Sequence, residues 1–288
     1  MKDLSFIIVN YNTKIITSDC IESINKNKTL ANFNYEIIVV DNNSSDGSLE
    51  YFQKQNFDNV RLIRNEANKG FGQANNIGAI NSQGEYLVLL NSDTIVDQTN
   101  FSLLINTISG DESIGVLSAK ILNENGTIQS LGFNFPGLRN DAKLNLLFWN
   151  YNFIKKFRYK KYKDKGVFKA DWVSGCFMIM RKSDYQSING FDENIFMYAE
   201  DVDLCFRLFK NKKYSYINDQ TFIYHLHGKS GDKKNIKLSQ LLKRKENYYY
   251  VIKKNKLFGN SKLFLIKLTY LINSLVVVTG KKLKSKTH

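Results

Sequence analysis

The sequence predicts an α/β protein with a mostly parallel but mixed central sheet, and three observations predict it. Short apolar runs alternate with stretches of helical spacing through the first hundred residues, which is the pattern of βαβ units. One run, residues 86–90 (YLVLL), is apolar without a break, as in a strand buried on both faces. Three of the runs then stop abruptly at Asn or Asp: at Asn10, at Asp41, and at Asn91-Ser92-Asp93. In an open α/β sheet, ligands bind at the carboxyl ends of the strands, so those polar stops mark the edge to watch.

The elements follow in order. Residues 4–10 (LSFIIVN) read as the first strand, closed by Asn10, Tyr11 and Asn12. Over residues 15–28, Ile15, Ile16, Cys20, Ile21 and Ile24 recur at helical spacing. Residues 35–40 (YEIIVV) form the second strand and end at Asp41. A polar turn over 42–47 and a helix over 48–55 follow, and residues 60–64 are the third strand. The glycine-rich segment 68–80 should turn into a helix before the fourth strand. Right-handed crossovers place the ends of strands one, two and four on one edge, so Asn10, Asp41 and Asp93 should converge there. Asp93 by itself allows two roles, capping the next helix or holding a divalent cation.

The second half is less regular. Residues 114–121 and 172–180 read as strands, with Gly175 allowing close backbone approach. Residues 181–187 read as a helix, and Gly190-Phe191-Asp192 as a tight turn. Glu200, Asp201 and Asp203 gather at the start of a helix whose Val202, Cys205, Phe206 and Phe209 keep helical spacing. Acids also favour helix N-termini through the dipole, so capping is open for each of them. Residues 221–225 are a last strand, followed by His225, His227 and a glycine turn, and 236–255 a helix. Residues 133–170, with the only proline, Pro136, interleave aromatics and lysines. That segment fits a loop over the site, a membrane-touching surface or a solvated basic helix.

The organisation expected is a catalytic domain over 1–232 and a basic helical extension over 233–288. In the extension, residues 257–280 are apolar but broken by Lys262, Lys267 and Asn273, far short of the ~20 apolar residues that span a bilayer. They suit a helix lying on an anionic membrane surface, or one packed on the catalytic domain or on a partner chain, as in a homodimer.

Composition excludes several classes. The chain has 288 residues and a net charge of +14, which favours anionic partners. Cys20, Cys176 and Cys205 form no CxxC pair and read as buried thiols in a reducing compartment. Residues 1–12 lack the basic start and long apolar run of a secretory signal. Strand one is followed by NYNTK with no glycine, and Gly70-Phe71-Gly72 sits after the third strand, so a dinucleotide fingerprint is rejected. A basic nucleic-acid-binding protein would set its lysines and aromatics on one face, and acids at the strand ends would repel phosphate without a metal. A nucleotidyltransferase also uses a strand-end acid and a metal, but calls for a basic glycine-rich loop where NYNTK stands.

VNYN at 9–12, VVDNNSSDGS at 39–48, NKGFGQANNIG at 68–78 and LLNSDT at 89–94 resemble family 2 glycosyltransferases of the GT-A fold. The resemblance is closest to the rhamnosyltransferase-like branch and covers residues 3–230. It implies a GT-A, Rossmann-like three-layer sandwich with added C-terminal helices. It implies that Asp41 reads the donor's pyrimidine, and that Asn10, Tyr11, Asn12, Asn68, Gly70, Asn75, Asn91 and Ser92 line the donor. The family's DxD motif stands here as Asn91-Ser92-Asp93: Asp93 becomes the metal-binding acid, and Asn91 replaces the first acid. The family's HxxGxS element makes His225 a second metal ligand, for Mn²⁺ or Mg²⁺, and puts Lys229 or Ser230 near the diphosphate. Asp201 becomes the catalytic base, with Glu200 and Trp172 on the acceptor side.

The activity so implied is inverting transfer of a sugar from dTDP-rhamnose or a UDP-hexose. The acceptor would be a hydroxyl of a cell-surface glycan or a lipid-linked glycan. The expected setting is cytoplasmic, peripheral at the inner face of the bacterial cytoplasmic membrane, with no nucleic acid. The chemistry is coherent, since inversion needs one base to take the acceptor proton and positive charge to stabilise the departing diphosphate.

Overall fold

In a computed structural model that describes residues 2–55, 57, 59–135, 166–226, 238–256, 263–265 and 268, the chain divides into two compact units. The first is Met1–Phe133 with Tyr162–Gly231, the second Asn134–Lys161 with Asp232–His288. The order in the first unit is β1 (Lys2–Asn10), α1 (Lys14–Asn25), β2 (Tyr35–Asp41), α2 (Ser48–Gln55), β3 (Val60–Arg64), α3 (Phe71–Ile80), β4 (Gly84–Asn91), β5 (Thr94–Ile95) and α4 (Phe101–Ser109). It continues through β6 (Ile114–Leu122), β7 (Ile128–Ser130), β8 (Val167–Ala170), β9 (Phe177–Arg181), α5 (Lys182–Ser187), α6 (Glu200–Lys210) and β10 (Tyr214–His225). The second unit carries α7 (Leu238–Lys254), which buries Val251 and Ile252.

The ten strands form one mixed sheet in the order β3-β2-β1-β4-β9-β6-β10-β5, with β7 added to β6 and β8 to β10. The first four strands are parallel, β9 enters antiparallel to β4, and β10 runs parallel to β6. Alternation in β1 feeds both faces. Leu4, Phe6 and Ile8 join a core with Cys20, Ile21 and Ile24 of α1 and Phe101, Leu104 and Ile108 of α4. Phe6 meets Phe101 edge-on at 5.3 Å between ring centres. On the opposite face, Ile38 and Val40 of β2 pack against Ala74 of α3. Helices thus cover both sheet faces, as a parallel sheet requires.

The register aligns the polar stops. Asn10 lies opposite Asp41, and Val9 opposite Asn91. The strands therefore deliver their last residues to one edge, and the loops after them hold the site.

Some expectations change. The strand read over 172–180 is broken. Trp172 makes a single bridge to Phe133, residues 174–177 close a turn through Phe177 N–H donating to Ser174 O at 3.3 Å, and β9 begins only at Phe177. The cause is Gly175, whose N–H leaves the ladder to donate to Asp201 Oδ2 at 3.1 Å. β10 starts at Tyr214 and runs through a register shift between Asn218 and Phe222, where polar residues hide its continuity. Asp93 does not cap the next helix: α4 is capped by Asn100, whose side chain accepts from Leu103 N–H at 2.9 Å. The expectations for most of 133–170 and 257–280, and for His227, Lys229 and Ser230, lie outside the described residues.

Candidate active site

At the ends of β1 and β2, Asn10 and Asp41 are both buried and bonded side chain to side chain, Asn10 Nδ2 donating to Asp41 Oδ1 at 2.7 Å. Asn10 Oδ1 accepts from Thr13 Oγ1 at 3.0 Å and from Thr17 Oγ1 at 2.7 Å. Asp41 Oδ2 accepts from Ser44 N–H at 3.0 Å, so this acid does shape the turn after β2. A carboxylate offers about four lone-pair sites, so these two hydrogen bonds leave capacity for a base N–H. Asn12, at φ 54°, ties the two loops together through Ser45 N–H donating to its Oδ1 at 2.7 Å. Tyr11 beside it is 46% exposed.

Asn42, one residue beyond Asp41, organises the glycine-rich loop. Its Nδ2 donates to Asn68 Oδ1 at 2.8 Å and to Gly70 O at 3.2 Å, and its Oδ1 accepts from Asn65 Nδ2 at 3.0 Å. Asn68 Oδ1 also accepts from Gly70 N–H at 3.0 Å. Two asparagines then stand side by side on α3. Asn75 is fully buried; its Nδ2 donates to Phe71 O at 2.9 Å, and its Oδ1 has no hydrogen-bond partner among the described residues. Asn76 holds the 190–194 turn: its Oδ1 accepts from Tyr185 Oη at 2.5 Å and Phe191 N–H at 2.9 Å, and its Nδ2 donates to Phe191 O and Glu193 Oε1 at 3.0 Å each. The sequence reading passed over Asn76. The signal was there, because a polar amide buried inside a helix needs a partner outside it.

At the end of β4, Ser92 joins the Asn10 network through Thr13 Oγ1 at 3.3 Å. Asp93, 1% exposed, faces the last residue of β10: His225 Nε2 lies 3.1 Å from Asp93 Oδ1 and 3.3 Å from Asn91 Nδ2. The backbone secures this pairing, with Leu226 N–H donating to Asp93 O at 2.8 Å. On the other side of the ring, Nδ1 lies 3.1 Å from Gln129 Oε1 of β7.

Asp201 opens α6 after two residues in the left-handed region, Tyr198 at φ 70° and Ala199 at φ 75°. Its Oδ2 accepts from Gly175 N–H at 3.1 Å and its Oδ1 from Val202 N–H at 2.9 Å. A Cβ on Gly175 would sit 3.3 Å from the Phe71 ring and 3.6 Å from Asp201 Cβ, so the small residue allows that approach. Burial raises the Asp201 pKa despite these donors. Burial and then the Asp201 charge raise that of its neighbour Glu200. Asp203 points elsewhere, into a 2.7 Å ion pair with Arg207. Trp172 stacks on Phe133 at 4.1 Å and 18°.

Cys176 connects the two acidic arms. Its thiol is pushed up to about 12, first by burial, with the charges of Asp93 and of Asp201 both adding. The Asn91 N–H donates to Cys176 O at 3.1 Å. The segments that carry Asp93 and Asp201, 108 positions apart in sequence, thus both bond to the turn 174–177, one through Asn91 N–H and the other through Asp201 Oδ2.

Asp93 and His225 form a pair at 3.1 Å whose carboxylate oxygen and imidazole nitrogen could serve as two ligands of a divalent cation. Among the described residues no group of three His, Cys, Asp or Glu side chains gathers for a metal. Two such ligands would leave most positions for phosphate oxygens and water, the usual arrangement where a cation meets a nucleotide. The nitrogen favours Mn²⁺ over Mg²⁺.

Comparison with known proteins gives the family and the fold. The family model described as glycosyl transferase family 2 matches residues 5–188, and one described as the N-terminal domain of galactosyltransferase matches 154–227. The N-acetylglucosaminyl-diphospho-decaprenol L-rhamnosyltransferase of Mycobacterium tuberculosis is 28% identical over 188 residues, 60% of this chain and 61% of the relative. The rhamnosyltransferase WbbL of Escherichia coli is 29% identical over 198 residues, 66% of this chain and 72% of the relative. The match thus spans less than two thirds of the mycobacterial protein's length. Among solved structures, GalNAc-T7 with UDP, GalNAc and Mn²⁺ superposes with a TM-score of 0.62 at 17% identity, covering 88% of this chain and 48% of that one. The fold is the GT-A fold.

Proposed function

The chain belongs to glycosyl transferase family 2, and from that membership we propose that it is a metal-dependent, inverting glycosyltransferase. The donor is a pyrimidine nucleotide-diphosphate sugar, dTDP-rhamnose or a UDP-hexose, and the acceptor a hydroxyl of a cell-surface or lipid-linked glycan. The rhamnosyltransferase names of both relatives support the first donor, and the decaprenol-linked substrate in one of those names supports a lipid-linked acceptor. One observation carries the reading: the turn 174–177 gives its Gly175 N–H to Asp201 Oδ2 and its Cys176 carbonyl to the N–H of Asn91, two residues before Asp93, so the proposed base and the proposed metal-binding acid stand on either side of one turn.

The residues divide the work. Asp41 accepts from the base, Tyr11 offers its exposed ring to it, and Asn12 holds the two loops on which they stand. Asn68 and Gly70 fix the glycine-rich loop around the donor. Asn75, whose buried carbonyl oxygen has no hydrogen-bond partner among the described residues, belongs to the same donor site, and Asn91 and Ser92 take the ribose and phosphate side. Asp93 and His225 hold Mn²⁺ or Mg²⁺, which when bound neutralises charge on the departing diphosphate.

Asp201 takes the proton of the acceptor hydroxyl as that oxygen bonds to the anomeric carbon and the bond to the diphosphate breaks on the opposite face. Its raised pKa makes it a stronger base than an ordinary carboxylate while two N–H donors hold its orientation. Glu200 and the Trp172 ring bind the acceptor sugar. Residues 1–232 form the catalytic domain, and 233–288 a basic helical extension that meets an anionic membrane surface or a second copy of the chain. No helix among the described residues is long and apolar enough to cross a membrane. The setting proposed is peripheral, at the inner face of the cytoplasmic membrane.

Thermal unfolding against UDP, dTDP and GDP, each with and without Mn²⁺ or Mg²⁺, tests the proposal. A pyrimidine diphosphate at a hundred times its Kd should add ~2.7 kcal/mol, and only with the cation present. Stabilisation by neither UDP nor dTDP under any of these conditions overturns it.

A further inference from the structure

We propose that Gln129 is the positioning residue of the cation site, holding the His225 ring with its proton on Nδ1 so that Nε2 is the nitrogen offered to a metal. The inference deepens the metal-dependent reading above and rests on it. It begins from hydrogen-bond direction. Gln129 Oε1, 3.1 Å from His225 Nδ1, is an acceptor and must receive a proton from that nitrogen. Asn91 Nδ2, 3.3 Å from Nε2, is a donor and needs a lone pair on that nitrogen. With its proton on Nδ1, the ring turns Nε2 toward Asp93 Oδ1 at 3.1 Å, where the two side chains pair with each other when no cation is bound. A cation there would be met by Nε2 and by the carboxylate oxygen together. The contact that orients the ring from behind therefore also makes the site receptive.

The placement of Gln129 is a matter of topology. It is the middle residue of the three-residue β7, which pairs with β6, and β6 pairs in turn with β10, whose last residue is His225. Asn123 and Thr127 close the intervening turn, Asn123 N–H donating to Thr127 O at 2.8 Å. The short excursion 123–130 thus returns an amide oxygen to the back of the ring. A ligating histidine generally passes its second N–H to such an acceptor, and losing the acceptor typically weakens metal binding by about 10–100-fold.

The test measures metal binding, not turnover. Mn²⁺ is titrated into the full-length protein with saturating UDP and, in a parallel arm, saturating dTDP, with free Mn²⁺ followed by electron paramagnetic resonance. Gln129→Met keeps the side-chain length and removes the acceptor; Mn²⁺ affinity should fall about tenfold or more. Gln129→Glu keeps an acceptor oxygen on Nδ1–H and should restore affinity to the wild-type level or better. The thermal midpoint without metal should be the same in all three proteins, which separates orientation of the ring from a structural role. Wild-type affinity in Gln129→Met overturns the role of Gln129 while the metal reading stands. Absence of Mn²⁺ binding by the wild-type protein in both arms overturns the metal reading itself, and this inference with it.

Discussion

A Cβ placed on Gly70 would collide with the backbone carbonyl of Phe196. The two segments meet main chain to main chain, and Phe71 N–H donates to that same carbonyl at 3.0 Å. Gly70 opens the glycine-rich loop assigned to the donor, and Phe196 begins the approach to Glu200 and Asp201. The absent side chain is what lets the two halves of the site touch.

Gly70→Ala should therefore damage catalysis more than its size suggests. Gly70 lies at φ 83° and ψ 175°, a region essentially reserved for glycine where another residue costs about 1–3 kcal/mol, and the clash must also be relieved by moving the Phe196 segment. A displacement of ~1 Å at the base can cost about 100-fold in rate. Steady-state kinetics should show kcat falling by at least tenfold with a smaller change in nucleotide affinity. An unchanged kcat would mean that the segment carrying the base is not positioned by this contact.

Adjacent asparagines on α3 should behave differently. Asn76→Ala leaves the Tyr185 hydroxyl and the Phe191 N–H buried without their acceptor, at ~1–3 kcal/mol each. Asn75→Ala removes one bond to Phe71 O together with an oxygen that has no partner, and should cost about 1 kcal/mol. Urea unfolding checks this: the Asn76 variant should lose about 3 kcal/mol with its m-value unchanged. Equal losses in the two variants would show that the 190–194 turn does not hang on Asn76.

The contrast between these two residues also shows what was legible in the sequence. β1 to β4 and their helices could be read because long apolar runs and helical spacing report burial directly, and their polar stops marked the edge where Asn10 and Asp41 meet. β5, with two residues, and β7, with three, are shorter than any period that could announce them, so Gln129 gave no sign. The break at Gly175 was hidden in an apolar stretch, because its cause is a carboxylate 26 residues later. Side-chain hubs such as Asn42 and Asn76 are specified by tertiary partners, and pattern alone cannot rank them against their neighbours.

Asp201→Asn should abolish transfer and keep donor binding. The amide cannot take a proton, and loss of a general base typically lowers the rate by about 10²–10⁴-fold. The donor contacts of Asp41 and the cation ligands lie on other elements, so nucleotide affinity measured by calorimetry with Mn²⁺ should stay near wild type. The new amide must also face the N–H groups of Gly175 and Val202, and the asparagine oxygen can satisfy only one side of that pair. A stability loss of about 1–2 kcal/mol is expected beside the kinetic one. Full activity in this variant would remove Asp201 from its role as base.

Glu200 makes stability depend on pH in a direction opposite to that of most carboxylates. It is buried, its Oε2 has no hydrogen-bond partner among the described residues, and burial followed by the Asp201 charge raises its pKa from the ordinary 4.5. The folded protein thus holds a proton on Glu200 over a range in which the unfolded chain has released it. Below the ordinary value both states are protonated, and the stabilisation associated with the neutral acid is fully present. As pH rises above that value the unfolded chain gains from ionising and the fold does not, so stability falls until the folded group itself ionises. Glu200→Gln keeps the shape and cannot ionise. Unfolding free energies measured from about pH 5 to about pH 9 should show the wild-type protein losing ground to the variant steadily, with the gap closing at the acid end. Asp201, raised in the same sense, stays in both proteins, so the variant retains a shallower slope of the same sign. Parallel curves for the two proteins across this range would mean that Glu200 is ionised in the fold, and that the pair beside the acceptor carries two charges instead of one.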